Sequence, residues 1–353
     1  TIDGGAGVDV IYGGDGNDVL KDNGENTIYG EGGDDYISYA SVEYSDEHNA
    51  GGRTQGLKVY GGDGNDTIIS PAFALVDAGS GDDTVTFSGG LGSYISLLSG
   101  GDGYDILSYS WFGNSGSTID WQIVSGFEEL RLGGNAGSVT FTDNVGQAGT
   151  TLKVSSATSG YGTTFDFSSE SDAYLDITGV DTYSPNDTLI GGALADTIRG
   201  QGGDDVIQGN AGNDTLELGS GDDIVTGGAG DDTIDGGAGT DIAIYSGNQS
   251  DYTVTELSYA KYQVIDNRGT DGTDTVQFTE TLRFSDKDVD ISPSGQNLTG
   301  TSSNDTLTAE SGDDLINGLA GDDTLKGLGG DDTIKGGEGA DTIEGGDGDD
   351  TLY

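Results

Sequence analysis

The amino-acid sequence predicts an all-β protein built as a right-handed parallel solenoid. Two observations lead to this prediction: a nine-residue repeat, and a composition rich in glycine and poor in apolar residues. An internal repeat is interpreted first because its period fixes the architecture. Aspartate recurs at every ninth residue of one stretch without a slip, at Asp187, Asp196, Asp205, Asp214, Asp223, Asp232 and Asp241.

Each nine-residue unit has a turn half and a strand half, as residues 227–235 (GGAGDDTID) illustrate. Glycine at positions one, two and four favours a turn, because glycine reaches backbone conformations closed to other residues. Positions seven to nine predict a short strand in which position eight points inward and its two neighbours face solvent. The inward residues are all apolar: Ile198, Ile207, Leu216, Val225, Ile234, Leu307, Ile316, Leu325, Ile334, Ile343 and Leu352.

A single inward side chain cannot stabilise a unit, so the units must stack. Two units form one 18-residue coil in the predicted stack, and aspartates 18 residues apart then lie on the same edge of successive coils. Their carboxylates, together with turn carbonyls, form a cage of about six oxygen ligands, which suits Ca²⁺ better than Zn²⁺ or Mg²⁺.

This unit, GGxGxDxUx, resembles the repeat of the RTX (hemolysin-type) calcium-binding family. The resemblance implies a calcium-bound parallel β-roll and export by type I secretion. A second strict block, residues 299–353, repeats the pattern of residues 186–244, and its predicted ligands are Asp305, Asp314, Asp323, Asp332, Asp341 and Asp350.

A third, irregular block spans residues 1–108, where the interval between aspartates varies and residues 39–51 predict a loop insertion. Some cages of this block should therefore be incomplete. Its predicted calcium ligands are Asp9, Asp18, Asp35, Asp66, Asp83 and Asp105.

At least nine calcium ions are expected in the two strict blocks, because same-edge aspartates pair nine times. The pairs are 187/205, 205/223, 223/241, 196/214, 214/232, 305/323, 323/341, 314/332 and 332/350. The acids at position five, such as Asp204, Asp222 and Asp331, should face solvent.

Two segments separate the three repeat blocks. Residues 109–185 lose the repeat but keep short runs typical of strands, which predicts a metal-poor β-helical spacer. Residues 245–298 predict a small antiparallel β-unit that covers one end of a roll. The lone His48 is expected in a surface loop, and Trp111 and Trp121 are expected to pack rather than to form a carbohydrate platform.

Charge limits the possible partners. With 12 basic and 63 acidic residues, the chain carries a formal charge of −51, and such a chain stays disordered unless cations neutralise it. Nucleic acids and acidic membrane surfaces are excluded by sign, and no apolar run is long enough to span a membrane. Without cysteine or methionine, no disulfide or soft-metal site can form.

The function expected from these observations is that of an extracellular, non-enzymatic scaffold, such as a surface-layer, matrix-fibre or adhesin segment, that calcium folds and rigidifies. Further copies of the chain or a cell-surface polysaccharide are expected partners, and end-to-end assembly is one expected mode. The alternatives are an accessory calcium domain of a secreted RTX enzyme or toxin whose active part lies outside this chain. Neither HExxH nor GxSxG occurs in the sequence.

Overall fold

The structure of the protein is a computed structural model, which describes residues 1–5, 7–22, 26–39, 57–70, 75–88, 97–111, 124–134, 138–141, 147–157, 162–180, 185–258, 260–292, 295–309 and 312–353. Among these residues nearly all regular structure is β-strand, and the one helix is a 3-10 turn at Gln249–Asp251. No helix within these ranges is long and apolar enough to cross a membrane.

The strands are short, and they are numbered here in chain order. They are β1 (Ile2–Asp3), β2 (Val10–Asp15), β3 (Val19–Asp22), β4 (Thr27–Gly32), β5 (Tyr36–Tyr39), β6 (Lys58–Asp63), β7 (Thr67–Ser70), β8 (Leu75–Ser80), β9 (Thr84–Ser88), β10 (Leu97–Asp102), β11 (Ile106–Trp111), β12 (Val124–Ser125), β13 (Glu129–Gly134), β14 (Ser138–Thr140), β15 (Thr151–Ala157), β16 (Thr164–Asp166), β17 (Tyr174–Thr178) and β18 (Thr188–Ile190). The second half of the chain contributes β19 (Thr197–Gly202), β20 (Val206–Ala211), β21 (Thr215–Ser220), β22 (Ile224–Ala229), β23 (Thr233–Ala238), β24 (Ile242–Ile244), β25 (Tyr252–Ser258), β26 (Lys261–Asp266), β27 (Thr273–Gln277), β28 (Thr281–Arg283), β29 (Asp288–Asp290), β30 (Asn297–Thr299), β31 (Thr306–Thr308), β32 (Leu315–Ala320), β33 (Thr324–Gly329), β34 (Thr333–Glu338), β35 (Thr342–Asp347) and β36 (Thr351–Leu352).

Successive strands alternate between two faces of a parallel solenoid, as the fold prediction requires. One face is a 15-stranded sheet in the order β1-β3-β5-β7-β9-β11-β13-β15-β17-β19-β21-β23-β27-β26-β25, called sheet A here. The opposite face consists of sheet B, β12-β10-β8-β6-β4-β2, and sheet C, β14-β16-β18-β20-β22-β24-β28-β29. The last block forms separate sheets, β30-β32-β34-β36 and β31-β33-β35, over its own apolar core.

The spacer is part of the same stack as the blocks that flank it. Strands β13, β15 and β17 pair in parallel with one another and join β11 on one side to β19 on the other. One continuous apolar core therefore runs from the first block, residues 1–108, through the spacer into residues 186–244, which we call the regular block.

Coil length distinguishes the segments of the stack. In the regular block, each residue pairs with the residue 18 positions later, as Thr197 does with Thr215. In the spacer, Glu129 pairs with Lys153, 24 positions later. In the first block, Val19 pairs with Tyr36, 17 positions later, whereas Tyr36 pairs with Thr67, 31 positions later, because the insertion lies between them.

The strands of the repeats are longer than the three residues expected. Strand β21, for example, continues from position seven into position three of the next unit, and parallel pairing resumes there between Gln201 and Gly219. Position eight is buried as predicted, except that Leu307 and Ile343 are half-buried and Leu352 is exposed in the last block. Positions seven and nine are mostly half-buried rather than exposed in residues 186–244, because parallel in-register neighbours cover one another. In the last block most residues at these two positions are exposed, as predicted.

An antiparallel hairpin closes the C-terminal end of sheet A. Strands β25 and β26 pair antiparallel, and β26 pairs antiparallel with β27. The expectation of an antiparallel unit does not extend to every strand of residues 245–298, since β27 pairs in parallel with β23 and β28 in parallel with β24. These two strands form a last coil of the solenoid.

Candidate metal centre

The position-six aspartates form a hydrogen-bonded ladder along each edge of the solenoid. In every rung, by which we mean two position-six aspartates of consecutive coils, Oδ1 of the later aspartate accepts a hydrogen bond from the backbone N–H of the earlier one. In the regular block, the N···O distances are 2.7 Å for 187/205, 205/223 and 196/214, and 2.9 Å for 223/241 and 214/232.

The same ladder is present in the other two blocks. In the last block, the distances are 2.8 Å for 305/323, 2.9 Å for 323/341 and 314/332, and 3.1 Å for 332/350. In the first block, they are 2.8 Å for 18/35, 35/66 and 83/105, and 2.7 Å for 66/83. Each of the nine predicted pairs of the strict blocks therefore joins two consecutive coils along the same edge.

The second carboxylate oxygen of most ladder aspartates is buried and accepts no hydrogen bond. This holds for Oδ2 of Asp9, Asp35, Asp66, Asp83, Asp105, Asp205, Asp214, Asp223, Asp232, Asp241, Asp323 and Asp332. Burial raises the pKa of Asp205 to about 8 and that of Asp214 and Asp241 to about 7. A buried anionic oxygen without a partner is costly, so these oxygens call for a cation or a proton.

Backbone carbonyls complete the environment of these oxygens. A β-carbon placed on Gly318 would lie 2.5 Å from Oδ2 of Asp323 and 2.5 Å from the carbonyl oxygen of Gly336, which is the position-one residue one coil later. We call this space, between a position-six Oδ2 and the next position-one carbonyl, the cradle. The same arrangement recurs at Gly191 and Gly200, so glycine at position one keeps the cradle open.

The glycine at position four has a different role. Gly221 has φ +136°, and a β-carbon there would collide with the carbonyl of Gly203 in the preceding coil. Position two also has positive φ, which Gln201 and Asn210 adopt there. A β-carbon on Gly219, at the same position, would lie 2.0 Å from the carbonyl oxygen of Gln201 in the preceding coil. Close approach of successive coils therefore favours glycine at position two as well as at position four.

The donor set fits calcium. It contains carboxylate and carbonyl oxygens and no sulfur or imidazole, and among the described residues no three acidic or histidine side chains converge on one point. Hard, flexible oxygen cages of this kind suit Ca²⁺, whereas Zn²⁺ prefers nitrogen and sulfur ligands. The cradle residues would hold the ion, which would link one coil to the next.

Several predicted ligands differ from this pattern. Oδ2 of Asp187 accepts a hydrogen bond from Val180 N and that of Asp196 one from Gly192 N, so the protein itself satisfies both oxygens where the roll meets the spacer. The predicted ligands at the outer coils are only half-buried as whole residues, namely Asp9, Asp18, Asp305, Asp341 and Asp350, although Oδ2 of Asp9 is itself buried.

Four position-six residues escaped the sequence prediction. Glu128 accepts a hydrogen bond from Asp105 N (2.8 Å), Glu280 from Asp241 N (2.6 Å), Asp274 from Asp232 N (3.0 Å), and Asn26 from Asp9 N. The signal available was an apolar residue two places on, as in ENTIY, FEELR, TDTVQ and TETLR, although the glycines of these units are mostly missing.

A second ladder, at position five, runs in the opposite direction. Oδ1 of Asp204 accepts a hydrogen bond from Asp222 N at 3.0 Å, and Oδ1 of Asp222 accepts one from Thr240 N at 2.9 Å. Asp204, Asp222 and Asp331 are exposed, as predicted. Position five thus fixes the turns to each other from outside the cradle.

The described residues do not test the expectations for the other side chains singled out from the sequence. His48 and Trp121 lie outside the described residues, as does most of the predicted loop 39–51, and Trp111 ends strand β11. The expectations for His48 and the two tryptophans remain predictions.

Comparison with known proteins agrees with this geometry. The RTX calcium-binding nonapeptide repeat (4 copies) matches residues 1–20, 22–41, 58–70, 186–216, 208–243, 217–251, 295–325 and 326–353, which together make up about half of the chain. No curated protein matches the chain. Among solved structures, the extracellular lipase LipA from Serratia marcescens is 22% identical over 50% of this chain and 34% of that chain, with a TM-score of 0.20. The chain spans about a third of that lipase. On its repeats, this chain belongs to the RTX calcium-binding nonapeptide repeat family.

Proposed function

We propose that this chain is an extracellular, non-enzymatic structural segment that folds and stiffens when it binds calcium outside the cell. The observation that carries the proposal is the in-register row of buried, unpartnered carboxylate oxygens, most of which face a backbone carbonyl of the next coil. Such a row has no stable state without cations or protons, and with calcium it links every coil to its neighbour.

The energetics of one repeat support a calcium-driven fold. A unit such as residues 227–235 buries one aliphatic side chain, Ile234, which contributes ~1.5–3 kcal/mol. Ordering its backbone costs roughly 1–2 kcal/mol for each residue. Burial alone loses to this cost, and a formal charge of −51 adds repulsion. The free energy of calcium binding must therefore contribute to folding.

Calcium supply would decide where the chain folds. Extracellular calcium modules bind with dissociation constants of roughly 10⁻⁴–10⁻³ M, a concentration that cytosol does not reach. The repeat blocks would stay unfolded before export, in keeping with the type I secretion typical of their family, and fold on reaching the exterior.

The scaffold role is favoured by the length of the stack. Parallel pairing and one apolar core continue from the first block through the spacer to the hairpin, so calcium would stiffen a rod rather than a small appendage. The second candidate, an accessory calcium domain of a secreted enzyme or toxin, is favoured by the family alone. Self-assembly and polysaccharide binding belong to the scaffold proposal.

Calcium titration of the full chain, followed by far-UV circular dichroism, tests the fold switch. A cooperative transition from coil to β-structure is expected in calcium and not in equimolar magnesium. A fully folded spectrum in excess chelator would contradict the proposal. Sedimentation of the calcium-loaded chain separates the two roles, since assemblies that dissolve on chelation support the scaffold and a monomer at all calcium concentrations favours the accessory domain.

A further inference from the structure

The antiparallel hairpin is inserted into a turn of the last coil. Tyr245 follows β24 at the place of position one, because Val225 pairs with Ala243 two residues before it. The chain then leaves the solenoid, forms β25 and β26, and returns at Asp274, which stands opposite Asp232 because Thr233 pairs with Thr275. Residues 246–271 thus interrupt what is elsewhere a six-residue turn.

Beyond the insertion the turn regains the features of a repeat. Gly272 has φ +83°, and a β-carbon there would collide with the carbonyl of Gly230. Position-four glycines approach the preceding coil in the same way. Thr273 N donates to Oδ1 of Asp231 at 2.8 Å, which continues the position-five ladder. Asp274 is buried and its Oδ1 accepts the N–H of Asp232 at 3.0 Å, as in every other rung.

One buried carboxylate oxygen at this rung has no hydrogen-bond partner. Oδ2 of Asp232 accepts no hydrogen bond, although Asp232 is only 2% exposed, and it points over the position-one residue Gly227. Asp274 is also only 2% exposed, and the buried phenol of Tyr245 lies beside its carboxylate. Two buried carboxylates therefore meet where the hairpin rejoins the roll.

We propose that Asp232 and Asp274 bind a further calcium ion, and that this ion fastens the hairpin to the end of the roll. The inference rests on the proposed function for the chemistry of the ladder and extends it to residues 252–294, which the repeat family does not match. The ion would act as a latch on a segment that β27 joins to the roll through three residue pairs with β23.

The test uses the full chain and hydrogen exchange resolved by residue. In the wild type, the amides of Val254 and Val264 in the hairpin should gain protection when calcium replaces chelator. Asp274→Asn keeps an oxygen that can accept the N–H of Asp232 and removes the charge. It should lower calcium stoichiometry by one and lower calcium-dependent protection of the hairpin about tenfold or more, while β20 and β22 keep theirs.

A neighbouring acid provides the matched control. Asp231→Asn removes one negative charge from the same two coils, but Asp231 is exposed and lies outside the cradle, so stoichiometry and hairpin protection should match the wild type. Hairpin protection that survives Asp274→Asn at unchanged stoichiometry overturns the latch, while calcium-dependent protection of β20 and β22 still supports the proposed function.

The wild type alone can also decide the question if Asp274→Asn disrupts the whole roll. Hairpin amides that are equally protected in chelator and in calcium overturn the latch. Hairpin amides that gain protection only with calcium, together with the coil of β23, support it. If no segment responds to calcium, the proposed function fails and the latch fails with it.

Discussion

The spacer and the regular roll both contribute strands to sheet A, but they fill the same buried position on the solenoid edge with side chains of different chemistry. Along the edge that precedes the strands of sheet A, position six is Asp196, Asp214 and Asp232 in the roll, whereas the spacer has Leu152 and Leu175 at the equivalent places. All five side chains are buried. The same solenoid position can therefore hold either an ion ligand or an apolar side chain.

The spacer, which has apolar side chains at this position, also has the larger apolar core. Phe141 and Phe167 stack in the spacer with ring centroids 3.8 Å apart, and Phe165 packs against Phe141 edge-on at 6.3 Å. Spacer coils contain 21 to 26 residues, as the pairings of Asp176 with Thr197 and Ser138 with Thr164 show, against 18 in the roll. Longer coils supply the apolar side chains that a glycine-rich coil lacks, so the spacer can stabilise its own edge.

Removal of calcium should produce the largest difference in amide protection between the spacer and the regular roll. In excess chelator, amides of β19, β21 and β23 should exchange at nearly unfolded rates, because their buried carboxylates lose the cation. Amides of β15 and β17 should stay protected by apolar burial. Hydrogen exchange of the full chain with and without calcium measures both at once. Equal loss of protection in the two regions would contradict the distinction.

Truncation of the spacer core should have the next largest effect, and calcium should not alter it. Leu175→Ala removes a side chain that is 1% exposed, which costs about 2–5 kcal/mol of unfolding free energy through lost burial and the cavity. The loss should be the same in calcium and in chelator, measured as the unfolding midpoint of the spacer amides. Leu257→Ala, at a site 52% exposed, is the control and should change little. A cost that appears only in calcium would mean that the spacer depends on the metal.

The regular roll was predictable from the sequence because its chemistry repeats with its geometry. The spacing of nine residues places Asp205 and Asp223 on one edge, and the alternation of a strand buries Ile207 and Val225. Both features depend only on positions within one unit, so neither required knowledge of the rest of the chain.

The spacer and the ladder ends could not be predicted in the same way. A coil of 24 residues has no nine-residue period, so Leu152 and Leu175 gave no sign that they replace an aspartate. Glu128 and Glu280 stand in turns three residues shorter than those of Asp105 and Asp241, and their register is set by the strands on either side. On the edge of sheet B, Leu57 fills position six after Asn26, so the expected incompleteness of the first block falls on that edge.

Loss of a single calcium ligand should reduce stability less than calcium removal or Leu175→Ala does, and it should do so only when calcium is present. Asp214→Asn keeps an oxygen to accept the N–H of Asp196 but lowers the charge at two cradles. If one ion is lost at a calcium concentration a hundred times its dissociation constant, about 2.7 kcal/mol of stabilisation goes with it. Thermal unfolding in calcium and in chelator measures the difference. Asp222→Asn, at an exposed position five, should behave as the wild type, and an equal loss in chelator would assign Asp214 a purely structural role.

The smallest expected effect is a dependence of the metal-free roll on pH. Burial raises the pKa of Asp205 to about 8 and that of Asp214 to about 7 from the ordinary value of 3.8, so the folded roll retains protons that the unfolded chain releases. Protonation therefore stabilises the metal-free roll fully below about pH 4, and this stability is lost as the pH rises through about 7 to 8. In chelator, far-UV circular dichroism should show more β-structure at pH 5 than at pH 8. Leu152 and Leu175 carry no proton, so amide protection of β15 and β17 should change far less over the same range. A metal-free roll that gains structure as the pH rises would show that its position-six carboxylates are not buried as the ladder requires.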